Sequence, residues 1–138
     1  MVRRRFKLIE HTADTGIVAY GDNLPEAFAS AAYGMFSIIT DLRKVRRVEQ
    51  KSITVSADDI EGLLFEWLNS LLYVFDVEHL LFSKFDINKF DEKNLGAICR
   101  GEKYDPSRHQ LKLGVKSATY HMLKIDPKKN TVQVIFDI

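Results

Sequence analysis

Between residues 63 and 75 the chain places apolar side chains at Leu63, Leu64, Trp67, Leu68, Leu71, Leu72 and Phe75, three or four residues apart, so they line one side of a helix. A helix this apolar is expected at the centre of the core, with Trp67 serving packing rather than a cofactor. Asp58 followed three residues later by Glu61 reads as the capping box that opens it. Such a helix needs a sheet and a second helix to cover it, and the flanking sequence has the patterns for both.

Asn23-Leu24-Pro25-Glu26 is a helix start: a capping Asn, a Pro in the first turn and a Glu three residues beyond the cap. Leu24, Ala27, Phe28, Ala31, Met35, Phe36 and Ile39 then recur at helical spacing. Strands are expected where apolar and polar residues alternate: around Phe6 and Leu8, over 17–20, and at Ile53, Val55 and Ala57. Segments 81–90 and 95–100 form a hairpin across the polar turn 91–94, and Leu111, Leu113 and Val115 alternate towards Lys116. A last hairpin pairs 120–125 with 132–138 across 126–130. No linker or low-complexity tract interrupts the pattern. The expectation is an α+β fold in a single domain over 1–138, with a mixed or antiparallel sheet packed against two principal helices.

Composition removes several function classes. Twenty Lys plus Arg nearly balance nineteen Asp plus Glu, so no global positive field favours stable direct binding to nucleic acid. The basic runs at Arg3, Arg4 and Arg5 and at Arg43, Lys44, Arg46 and Arg47 are short enough to be solvated element ends. One cysteine, Cys99, excludes an intramolecular disulfide framework and a Cys-rich zinc site. It lies in an alternating segment as a half-buried strand residue, with no adjacent His or Asn to make it a nucleophile. The N-terminus lacks an apolar signal region and no stretch reaches membrane-spanning length, so the expected location is the cytoplasm.

Three segments gather groups that can carry chemistry. Glu10-His11-Thr12-Ala13-Asp14-Thr15-Gly16 packs ionisable groups into a loop between strands, and Asp14 offers a hard cation a short carboxylate. An Asx-turn accounts for the same residues equally well. Asp14-Thr15-Gly16 also matches the aspartic-protease tripeptide, but no apolar strand directly precedes the Asp and no second such Asp is repeated. The C-terminus puts the Asp137 side chain beside the Ile138 α-carboxylate, although taken alone this reads as a solvated chain end. Val115-Lys116-Ser117-Ala118-Thr119-Tyr120-His121 offers a lysine able to orient a phosphate or a partner carboxylate, and spacing alone does not separate that role from a surface lysine and a sheet histidine. No Gly-rich phosphate loop, Ser-His-Asp order or helical His-Glu pattern is present.

Taken in order, these segments resemble the archease family. Glu10-His11-Thr12-Ala13-Asp14 is similar to its N-terminal signature, and the run from Leu63-Leu64 to Leu72 resembles its LL.E.LN.LLY helix. Lys116-Ser117-Ala118-Thr119-Tyr120-His121 resembles its KA.TYH segment, and Phe136-Asp137-Ile138 its DI or DV ending. Thr15 stands where the family more usually has Ile or Val.

The resemblance implies a compact α+β domain and a metal site of Asp14, Asp137 and the Ile138 carboxylate. It places the family's functional lysine at Lys116, with Glu10, His11 and His121 as supporting neighbours. The implied cofactor is a divalent metal, Ca²⁺ or Mg²⁺/Mn²⁺. The implied role is non-catalytic: activation of an RtcB-type RNA ligase in tRNA splicing, by promoting its guanylylation and multiple turnover. A chaperone-like modulator of a tRNA methyltransferase is the alternative the family suggests, and a metal-dependent hydrolase is a third class that lacks a positioned general base.

Overall fold

The computed structural model describes residues 5–9 and 15–138. Strands β1 (Phe6–Leu8) and β2 (Thr15–Tyr20) precede helix α1 (Leu24–Ile39), and β3 (Glu49–Ser56) precedes helix α2 (Ile60–Glu78). The rest of the chain carries β4 (Leu80–Phe90), β5 (Asn94–Lys103), β6 (Ser117–Ala118), β7 (Lys124–Asp126) and β8 (Thr131–Asp137). The architecture is α+β, as expected. All strand pairs are antiparallel, and they divide between two sheets rather than one. The first sheet runs β1-β2-β8, with β6 and β7 both pairing the far edge of β8, and the second runs β3-β5-β4.

Both helix starts follow from side-chain capping. Asn23 accepts from the Glu26 N–H at 2.9 Å, as the sequence predicts. The second cap falls one residue later than the predicted Asp58: Asp59 accepts from the Gly62 N–H at 2.7 Å, and the helix begins at Ile60. Asp59 adopts the extended backbone a cap requires, and adjacent acidic residues leave this choice open in sequence.

Helix α1 packs against both sheets, which makes it the shared core element. Its Phe36 ring meets Phe82 and Phe85 of β4, and Trp67 of α2 meets Phe85 edge-on. Trp67 is fully buried, and its indole N–H donates to the Phe28 carbonyl at 3.0 Å, so its polar atom is satisfied. Where β4 and β5 cross tightly, a Cβ on Gly101 would lie 1.8 Å from the Leu81 carbonyl oxygen, so only glycine fits there. The β4–β5 ladder shifts register beside this point, between Phe82 and Lys84.

The C-terminal third departs most from the periodicity reading. Segment 111–115 joins neither sheet; one isolated bridge pairs Leu111 with Thr40, and Leu111 and Leu113 remain exposed. The last hairpin is also shorter than predicted, because 120–123 forms a turn before β7. No helix among the described residues is long and apolar enough to cross a membrane.

Candidate metal and partner site at the end of the last strand

Strand β8 lies inside its sheet, and its last residues emerge between two neighbours. On one side Thr15 pairs with Phe136 and Gly16 with Ile135; on the other Ser117 pairs with Asp137 and Ala118 with Phe136. At Gly16 a Cβ would lie 2.6 Å from the Ile135 side chain and 2.7 Å from the Val134 carbonyl oxygen, so glycine lets β2 close tightly on β8. The Lys116 main-chain N–H donates to the Asp137 carbonyl at 2.8 Å. Thr119 fastens the next turn, its N–H and its hydroxyl both donating to the Ile135 carbonyl, at 3.0 and 2.8 Å.

Asp137, Ile138 and Lys116 are thereby brought to one corner, all solvent-exposed. Asp14, Glu10 and His11 lie outside the described residues. His121 sits exposed in the turn after β6, not in a sheet position. Among the described residues no three His, Cys, Asp or Glu side chains form a metal-sized cluster. Within that set, Asp137 and the Ile138 carboxylate contribute two adjacent groups. Neither makes an ion pair with a described cation. Exposed hard oxygen donors without a cationic partner suit a divalent cation such as Ca²⁺, Mg²⁺ or Mn²⁺.

The sequence reading missed Asn69. Its side-chain amide oxygen accepts from the Ala118 N–H at 2.9 Å, and its NH₂ donates to the Ala118 carbonyl at 3.2 Å. One amide thus acts as a substitute strand for the outer edge of β6, at a residue that is 1% exposed. A polar amide inside the apolar run of α2 is the signal that could have revealed it, because Asn has no local reason to occupy a helix interior.

One helical turn before Asn69, the ring of Phe65 stacks on Tyr120 with centroids 4.2 Å apart and planes 8° from parallel. Desolvation of the Tyr120 hydroxyl, aided by the charges of Asp59 and Glu66, raises its pKa. A groove of about 410 Å³ is lined by Ile39, Phe75, Asp76, Leu113, Val115 and Lys116. Leu111, Leu113, Tyr120, Met122 and Ile138 are exposed in or next to these segments, a run of apolar groups of the kind that marks association surfaces.

Two other polar centres belong to the framework. Cys99 lies in a strand as expected but is fully buried, not half-buried, and burial pushes its thiol up to about 12. Glu102, 5% exposed, accepts from both Arg108 guanidinium nitrogens at 2.9 Å, from the Arg46 N–H at 2.8 Å and from His109 Nε2 at 2.9 Å. Arg108 is the largest of the influences that hold this carboxyl well below the ordinary range. His109 Nδ1 accepts from the Asp105 N–H at 2.9 Å, which assigns the ring proton to Nε2.

The fold and this corner define a class: a small α+β domain in which a lysine-bearing segment meets the last residues of β8 at one sheet end. The model of the Archease protein family (MTH1598/TM1083) matches residues 6–138, and the chain belongs to this family. It is 46% identical over 129 residues to the protein archease of Sulfurisphaera tokodaii, covering 92% of each chain. It is 42% identical to that of Pyrococcus furiosus, covering 89% of each. The solution structure of protein 1598 from Methanobacterium thermoautotrophicum superposes with a TM-score of 0.80 at 33% identity, covering 99% of this chain and 100% of that one. A Thermotoga maritima crystal structure, described as an archease and possible chaperone, shares the fold with a TM-score of 0.62 at 19% identity over 96% of each chain.

Proposed function

We propose that the chain is a non-catalytic accessory protein of tRNA splicing that binds a divalent metal and activates an RtcB-type RNA ligase by promoting its guanylylation and multiple turnover. The observation that carries this reading is the meeting of sequence-distant segments at the end of β8. Thr15 pairs with Phe136, and Ser117 pairs with Asp137. Asp14, which the resemblance implies as a third ligand beside Asp137 and the Ile138 carboxylate, is the sequence neighbour of Thr15 and lies outside the described residues.

In this reading Asp137, Ile138 and Asp14 hold the cation through oxygen atoms, and Lys116 binds a phosphate oxygen or an acidic group of the ligase. A divalent cation held there supplies charge neutralisation for a phosphoryl group. Asn69 positions Lys116 by fixing Ala118 two residues away. The exposed apolar residues around the lysine segment support a protein surface as the partner.

The test is guanylylation of a cognate RtcB-type ligase at limiting metal, with no addition, with the intact protein, and with Asp14→Ala or Asp137→Asn. Stimulation by the intact protein and its loss in both variants is the expected result. Absence of stimulation by the intact protein overturns the reading and favours the chaperone-like modulator of a tRNA methyltransferase, which the same apolar surface would also suit. Turnover of RNA or nucleotide by the isolated chain would instead favour the hydrolase.

A further inference from the structure

The turn 105–109, which follows β5, is closed by one side chain through both of its ring nitrogens. The His109 ring is fully buried; its Nε2–H donates to a Glu102 carboxylate oxygen at 2.9 Å, and its Nδ1 accepts from the Asp105 N–H at 2.9 Å. The Asp105 carbonyl accepts from the Arg108 and His109 N–H groups at 3.0 and 2.8 Å, so ring and main chain fasten the same turn. Only the neutral ring fits this arrangement. A proton added at Nδ1 would point at the Asp105 N–H and set donor against donor.

The charges around the ring oppose that proton in sum. Glu102 of β5 attracts a cation but already holds two: Arg108 donates to both its oxygens, and Arg46, in the loop after α1, donates through its main-chain N–H and its Nε. In the same loop Lys44 lines the adjoining groove, while Arg43 is paired with Asp41. The turn's own carboxylate, Asp105, is partly exposed and accepts from the Ser107 N–H and hydroxyl. Tyr104 stacks on the ring with centroids 6.2 Å apart. Arg46, Arg108 and Lys44 thus stand against Glu102 and Asp105, and a buried imidazolium would add a further positive charge.

We propose that His109 is a proton-operated latch: a proton taken up at Nδ1 breaks the bond from Asp105 and releases the turn 105–109. Imidazoles in general take up this proton between about pH 8 and about pH 5. Glu102, held well below the ordinary carboxylate range chiefly by Arg108, stays charged across that window. The closed turn is favoured by the neutral ring, so closure is complete at the alkaline end and is lost as pH falls. Release is local. On one side the Tyr104 N–H is held by the His79 carbonyl at 2.7 Å. On the other the Thr40 hydroxyl holds the Gln110 carbonyl at 2.7 Å, and the Ile39 carbonyl holds the Lys112 N–H at 2.7 Å.

The experiment is NMR of the full chain from about pH 8 to about pH 5. It reads the His109 ring nitrogen shifts and, at each pH, amide exchange corrected for its intrinsic pH dependence. Protonation of the ring is expected to coincide with a roughly tenfold loss of protection at the Asp105, Arg108 and His109 amides, while the Cys99 and Lys112 amides keep theirs. His109→Gln, which cannot take up the proton, is expected to show turn protection that does not vary with pH; the titration of the unaltered chain decides alone if this variant does not fold. A ring that stays neutral throughout, or one that protonates with the turn still protected, overturns the latch. Protection lost equally along the whole chain means global unfolding and overturns it too. So does a pH dependence of the turn that persists in His109→Gln, which assigns the titration to another group.

Discussion

The main-chain N–H of Lys116 donates to the carbonyl of Asp137 across 2.8 Å, which couples the lysine segment directly to the residue that ends β8.

Adding a Gly-Ser pair after Ile138 converts its carboxylate to an amide and removes one anionic donor. The expected result is a Ca²⁺ or Mn²⁺ affinity at least tenfold lower by isothermal titration calorimetry, with unchanged melting, because Ile138 is 46% exposed and outside the core. Equal affinity with and without the extension would remove the terminal carboxylate from the ligand set.

Asn69→Leu retains side-chain bulk but deletes both hydrogen bonds to Ala118, whose N–H is then left in a buried strand. A cost of about 1–3 kcal/mol in urea unfolding is expected from the unsatisfied groups. Ligase stimulation should fall further than stability explains, since the Lys116 segment loses its outer clamp; a variant that folds stably and stimulates fully would show that Asn69 has no positioning role.

Glu102 makes stability sensitive to acid. Its folded pKa is depressed, chiefly by Arg108, so its contribution is fully present above the unfolded value and is lost as pH falls through the folded one. Loss should begin below about pH 4.5 and extend into strong acid, because an unperturbed Glu titrates near that value. Glu102→Ala strands Arg108 and His109 and should cost about 3 kcal/mol at neutral pH. It should also flatten the acid limb of a stability-versus-pH curve; an unchanged limb would place the acid sensitivity elsewhere.

Cys99 should be inert in the native protein. With its thiol raised to about 12 by burial, labelling by a thiol reagent at pH 8 should be absent in the folded chain and stoichiometric in denaturant. Rapid native labelling would mean that β5 opens locally.

What the sequence by itself determined was local. The period of Leu63 to Phe75 made a core helix, Asn23 capped the first helix, and alternation located strands at Ile53 and Val55 and over 81–90 and 95–100, because these preferences act within a few residues. Only tertiary structure decided the rest. The same alternation at Leu111 and Leu113 made no strand: β6 and β7 take the edge of β8, and residues 111–112 reach only one isolated bridge and one hydrogen bond beside the end of α1. The choice of Asp59 over Asp58 depended on which carboxylate the backbone turned towards Gly62. The chain's motifs put Lys116 and the adjacent Asp137 and Ile138 in separate segments. Their meeting comes from strand pairing, and the Asn69 clamp on Ala118 from a helix side chain, between residues far apart in sequence, and a linear pattern holds no record of that distance.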